Sequence, residues 1–195
     1  MIDDLVIKDA LRYLGAKAED EDATALVRKV LSEYRDIFTP RQVTALFRVK
    51  TLSPSVTFEN CEIELTGESI ARHFAGATEG LFCAFTLGAG VDRKLKELTL
   101  VRPAEGVALN AVASAYAERS ADELLKETRR EIEKGGFTTK FRFCPGYGDL
   151  PLETNARIIE ALGATKKIGL SVAASGMLLP VKSIVGVVSC LPTAR

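Results

Sequence analysis

The run Leu81-Phe82-Cys83-Ala84-Phe85-Thr86-Leu87 constrains this chain more than any other stretch. Seven apolar or small residues without a charge have the length and composition of a central strand covered on both faces. Such a strand needs packed side chains above and below it, so it lies inside a sheet with further elements on each side. The segments around it do not alternate as βαβ units. Val43, Ala45, Phe47 and Val49 form an alternating strand after Pro40. Val56 and Phe58, then Cys61, Ile63 and Leu65, form a hairpin around the Glu59-Asn60 turn. Hairpins mixed with helices predict an α+β fold in one domain, with a largely antiparallel sheet.

The helices are marked by spacing and punctuation. Val6, Ala10, Tyr13 and Leu14 share one face of a first helix that Gly15 stops. Asp20 or Asp22 caps a second, which carries Leu26, Val27, Val30, Leu31, Tyr34 and Ile37. A short helix follows Thr66-Gly67-Glu68 and ends near Gly76. Gly88-Ala89-Gly90 leads into a helix from Val91 to Leu98. The longest helix runs from about Val107 to Glu133, small and apolar early and highly charged late, and Gly135-Gly136 ends it. Phe137 to Phe143 alternates as a strand. Cys144 to Gly148 forms a turn, and Pro151 opens a helix bearing Ile158, Ile159 and Leu162. Ile168 to Cys190 reads as two β-like stretches around Gly176 to Pro180.

Composition excludes several functions. Lys+Arg and Asp+Glu stand at 26 each, and without positive excess a sequence-independent nucleic-acid binder is disfavoured. The longest uncharged stretch, Ile168 to Val181, is too short to span a bilayer. The Met-Ile-Asp-Asp start lacks the basic residues and apolar run of a signal peptide, so a cytoplasmic protein is expected. Cys61, Cys83, Cys144 and Cys190 are far apart, with no CxxC pair to suggest a zinc ribbon. His73 is the sole histidine, which rules out sites needing two imidazoles. It is expected on the surface or half-buried side of its helix.

Three places can carry chemistry. Gly88-Ala89-Gly90 is either an anion-binding strand-to-helix corner or simply a tight turn. Glu118 and Asp122, four apart on the long helix, share a face that either receives an ammonium or ribose hydroxyls, or is merely solvated. In Arg142-Phe143-Cys144-Pro145-Gly146-Tyr147, alternation sets Arg142 opposite Phe141 and Phe143, and the Pro-Gly turn lets Tyr147 project beside it. A guanidinium fork suits a carboxylate, through two parallel N–H donors. The plainer alternative is an arginine paired with a surface carboxylate and a tyrosine closing a turn.

Arg142-Phe-Cys-Pro-Gly-Tyr147-Gly-Asp-Leu-Pro151-Leu resembles the Arg-x-x-Pro-Gly-Tyr motif of the activation (reactivation) domain of cobalamin-dependent methionine synthase. The stretch from Lys167 through Pro180, Lys182 and Ser183 to Gly186 is similar to that family's segment after the motif. Ala117-Glu-Arg-Ser-Ala-Asp122 occupies the place of its long helix. Arg12-Tyr13-Leu14-Gly15 and Phe85-Thr86-Leu87-Gly88 resemble stand-alone bacterial versions of the domain, so the resemblance spans nearly the whole chain.

The resemblance implies an α+β fold with a twisted, mainly antiparallel sheet and flanking helices, and it implies a task. The activation domain binds S-adenosylmethionine and covers the corrin of a cobalamin that has been oxidised to its inactive cob(II) form. One electron from a protein reductant, with methyl transfer from S-adenosylmethionine, restores methylcobalamin. Arg142 matches the arginine that engages the methionine carboxylate, and Tyr147 the tyrosine at the ligand and corrin face. Phe143, Cys144 and the motif glycine Gly146 lie where the backbone approaches the adenosine, and Asp122 matches an acidic residue near the ligand. The chain stops at Arg195, short of the strand and helix in which the full-length synthase places an adenine-pocket tyrosine. It also lacks the Asp-x-His-x-x-Gly signature, so cobalamin must be held by a partner. The expected partners are therefore a cobalamin-bearing methyltransferase and an electron-donor protein. The alternatives are a cap for such a partner that has lost S-adenosylmethionine binding, and an unrelated enzyme using Cys144 as nucleophile.

Overall fold

The computed structural model describes residues 2–17, 19–52 and 55–193. The apolar run lies within β4 (Glu79–Thr86), and its position organises the rest. β4 pairs antiparallel with β1 (Arg41–Thr51) on one side and β8 (Ser183–Pro192) on the other. The hairpin β2 (Val56–Phe58) and β3 (Cys61–Leu65) extends the sheet beyond β1, and β5 (Phe137–Thr139) closes the far edge. The order is β3-β2-β1-β4-β8-β5, with every pairing antiparallel. Asn60, at positive φ, makes the two-residue turn of the hairpin.

Alternation along β4 splits the core in two. Phe85 faces α1 (Ile2–Leu14), α2 (Glu21–Tyr34), α4 (Ala89–Val101) and α5 (Pro103–Lys134), and Leu81 and Cys83 pack with Leu125 of α5. Phe82 and Ala84 face the opposite layer, where the hairpin meets α3 (Glu68–Phe74), α6 (Thr154–Leu162) and α7 (Ala164–Ile168). Phe82, Phe74, Leu81 and Leu109 are almost wholly inaccessible. Each such side chain contributes about 1.5–3 kcal/mol by leaving water. β6 (Ser171–Val172) and β7 (Leu178–Leu179) form a separate two-stranded ribbon leading into β8.

Local chemistry sets the helix ends. Asp20 caps α2 by accepting a 2.9 Å bond from the Ala23 N–H. α5 starts at Pro103, four residues earlier than its apolar pattern suggests, because proline's missing N–H costs nothing in the first turn. Alanines at 108, 111, 113, 115, 117 and 121 are buried and let this helix lie close to its neighbours.

Four expectations need correction. His73 is buried, not half-exposed, because Phe74, Phe141 and Phe143 enclose it. Tyr13 is exposed rather than on the core face of α1. The strand expected over Phe137–Phe143 stops at Thr139, and only an isolated bridge between Phe143 and Val187 returns the chain to the sheet. Pro151 does not open α6, which begins at Thr154 after a turn. Among the described residues no helix is long and apolar enough to cross a membrane.

Candidate functional site

The segment after β5 leaves the sheet, touches it again at Phe143 and turns away at Pro145-Gly146. Phe143 exchanges two 2.8 Å backbone bonds with Val187, so its side chain and those of its two neighbours point to opposite sides. Phe143 is buried against His73 and Tyr147. Arg142 points the other way, across β8 towards α5. Its stem crosses β8 at Gly186, where a Cβ would lie 2.7 Å from Arg142 Cγ and 3.0 Å from the Phe143 carbonyl oxygen. Glycine is required there for the arginine to lie flat.

Arg142 ends between two carboxylates of α5. Nη2 donates to Glu118 Oε2 at 2.5 Å and Nη1 to Asp122 Oδ1 at 3.0 Å, while Nε is buried with no partner. The arginine side chain is 11% exposed, whereas Glu118 and Asp122 are 47% and 60% exposed. Burial alone would favour the neutral guanidine, but the negative charges beside it outweigh that effect and hold its pKa above the usual value. The fork is therefore not open: it is already paired, as in the plainer alternative.

A hollow nevertheless lies beside it. A cavity of about 330 Å³ is lined by Glu118, Cys144, Pro145, Tyr147, Leu152 and Asn155, and by the strap from Gly176 to Val185. Arg142 and Asp122 stand behind Glu118 and do not line it. Gly146 turns the chain at φ 91°, donating its N–H to the Leu150 carbonyl at 2.9 Å, and so places Tyr147 at the mouth. Tyr147, Met177, Leu152 and Val181 are all exposed there, giving the hollow an apolar rim.

Cys144 is half-buried in the wall. Burial raises its thiol pKa, which the Arg142 charge only partly offsets, so the sulfur stays protonated at neutral pH. That is the opposite of an activated nucleophile. His73 contacts aromatic rings and Lys140 rather than this thiol.

Of the two acids that helical spacing sets on one face of α5, Glu118 is the one that reaches the cavity. Asn155, 5% exposed, lines it from the first turn of α6, and nothing in its sequence context marks it. A further feature extends the polar face of α5. Asn110, Ser114, Glu118 and Asp122 recur at four-residue spacing. Lys182 Nζ donates to Asn110 Oδ1 (2.7 Å) and Ser114 Oγ (2.8 Å), as Arg142 does to the other two. Two cations thus tie the walls of the hollow to one helix. Gly88-Ala89-Gly90 forms the β4–α4 corner, its first N–H donating to Thr86 Oγ1 at 3.0 Å. A larger hollow of about 760 Å³ lies among α1, α2 and α5, away from the motif.

No family model matches the chain, and no curated protein matches it. Among solved structures, the crystal structure of the MetH reactivation domain bound to AdoHcy matches with a TM-score of 0.70 at 18% sequence identity. The match covers 94% of this chain and 70% of that one. The α+β architecture expected from the sequence, with β4 at the centre of a mainly antiparallel sheet, is the fold of the MetH reactivation domain.

Proposed function

We propose that this chain is an accessory of corrinoid methyl transfer. It binds S-adenosylmethionine in the hollow beside the Arg142–Tyr147 corner and docks on a separate cobalamin-bearing methyltransferase, methionine synthase, in a reactivation supplied with one electron by another protein. The observation that carries the reading is a cavity opening at the Pro145-Gly146-Tyr147 turn, in a chain with the fold of a domain crystallised with AdoHcy. That ligand, S-adenosylhomocysteine, lacks only the methyl group and positive charge on sulfur.

The lining suits such a molecule. Its amino-acid end is a zwitterion, and Glu118 and Arg142 are a matched pair of opposite charges. Inserted between them, the ligand's carboxylate takes the arginine fork and its ammonium takes the released Glu118. The charge of the cluster is unchanged and no buried ion is left alone. Tyr147, Met177, Leu178 and Val181 provide the flat and apolar surface a nucleoside requires. The sulfonium brings an activated methyl group and cobalt(I) a strong nucleophile, so the chemistry needs no acid or base from this chain. The chain's task is to orient the donor and exclude water. The protonated Cys144 fits that task, because a thiolate in the wall would compete for the methyl group. The exposed apolar rim is the surface that meets the corrinoid partner.

Titration calorimetry with S-adenosylhomocysteine tests the reading. Binding is expected, and Arg142→Ala should weaken it by about 2 kcal/mol, roughly thirtyfold, as expected for a lost charge-assisted pair. A second reading, a cap protein without ligand binding, is favoured by the pairing of Arg142 with both carboxylates. Absence of binding, even with the corrinoid partner present, would end the first proposal and favour the cap.

A further inference from the structure

We infer that the short helix α3 is a brace that sets the position of the Arg142–Tyr147 segment, with Lys140 and Asp149 as its two positioning residues. The part of this inference that concerns ligand affinity rests on the reading above.

α3 has seven residues and is preceded by Gly67, which has no side chain to cap it. A helix this short is unstable by itself. Asp149 supplies the missing cap from across the chain. Its carboxylate accepts the N–H of Glu68 at 2.6 Å and of Ser69 at 3.0 Å. At the other end Lys140 Nζ donates to the His73 carbonyl at 2.7 Å. An anion therefore sits at the N-terminus and a cation at the C-terminus, each matching the helix dipole. The two residues flank the motif on either side. The motif is thus strung between the ends of one rigid element about 10 Å long.

The contact between loop and helix leaves no slack. A Cβ on Gly67 would lie 2.6 Å from Asp149 Oδ1, and one on Gly148 would lie 2.6 Å from Ser69 Oγ. The ring of His73 sits 4.8 Å from Phe141 and 5.1 Å from Phe143. The sheet, by contrast, holds this segment only through the Lys140 N–H on Ser189 and the Phe143–Val187 pair. Beyond Phe143 no strand fixes the chain, so the direction in which Tyr147 leaves the sheet is set by where Asp149 is tied down.

The experiment compares Asp149→Ala and Lys140→Met with Asp20→Ala, which removes a cap of the same kind from α2, outside the hollow's lining. Amide exchange is read in the ligand-free protein and affinity by titration with S-adenosylhomocysteine. Asp149→Ala and Lys140→Met should speed exchange at Gly146, Tyr147 and Leu150 by about tenfold and weaken the ligand by roughly five- to tenfold. Asp149→Asn keeps one acceptor oxygen where the carboxylate offers two, one to each N–H, so its exchange should fall between that of the unmodified protein and that of Asp149→Ala. Asp20→Ala should lower Tm without moving either readout. Wild-type exchange at those three amides in both Asp149→Ala and Lys140→Met would overturn the brace, as would equal acceleration by Asp20→Ala. Faster exchange with undiminished affinity would overturn its role at the ligand. If the unmodified protein binds no ligand while exchange still responds as described, the brace stands and the ligand reading falls.

Discussion

Replacing His73 by Phe should remove a pH dependence that can be predicted in sign and size. The imidazole is buried among Phe74, Phe141 and Phe143, with Nε2 unpartnered and the Lys140 ammonium on its own carbonyl. Burial first, and the Lys140 charge second, lower its pKa from 6.5 to about 4. The folded protein therefore refuses a proton that the unfolded chain accepts. Stability from this residue is complete above pH 6.5 and is lost as pH falls towards 4. With about 1.36 kcal/mol per unit of pKa, the loss is about 1.4 kcal/mol at pH 5.5 and about 2.5 kcal/mol at pH 4.5. Carboxylates also titrate in this range, but they do so in both proteins. The difference between wild type and His73→Phe in urea denaturation at pH 7, 5.5 and 4.5 isolates the imidazole. Because the chain has one histidine, its Hε1 proton resonance gives the folded pKa directly. A midpoint near 6.5, or parallel stability profiles for the two proteins, would refute the argument.

Two further outcomes test the corner itself. Gly186→Ala should cost about 1–3 kcal/mol in urea denaturation, as overpacked cores do, because the new methyl group collides with Arg142 and the Phe143 carbonyl; unchanged stability would mean that the arginine does not lie across β8. Cys144 should react with iodoacetamide at pH 7.5 well below the rate of free cysteine, read by mass spectrometry, since its thiol is protonated and half-buried; a rate at or above that of free cysteine would revive the nucleophile.

Much of the fold is legible in residues 81–87, because a run apolar on both sides of its alternation has only one place in a sheet. The hairpin is equally legible, its turn falling at Glu59-Asn60 with Asn60 at positive φ. The loss of strand after Thr139 is not. Alternation persists through Phe141, Arg142 and Phe143, and their side chains do point to opposite sides, but only tertiary contacts decide whether backbone partners exist. The same holds for His73. Helical periodicity gives its place on α3, while its burial comes from two phenylalanines some 70 residues away. At the site, the motif marks Arg142, Phe143, Cys144, Gly146 and Tyr147, and spacing pairs Glu118 with Asp122. That the two acids close on the guanidinium depends on the angle at which α5 crosses β8, which no local pattern encodes.

The pairing of β4 with β8 joins positions about a hundred residues apart. Bringing such distant segments together is entropically slow, so productive folding waits on the far end of the chain. During synthesis β4 emerges early and remains without its second neighbour until Ser183 and the residues beyond it leave the ribosome. The hollow inherits the same delay, because one of its walls is the strap that feeds β8. A nascent chain therefore exposes an apolar edge long before the hollow is complete.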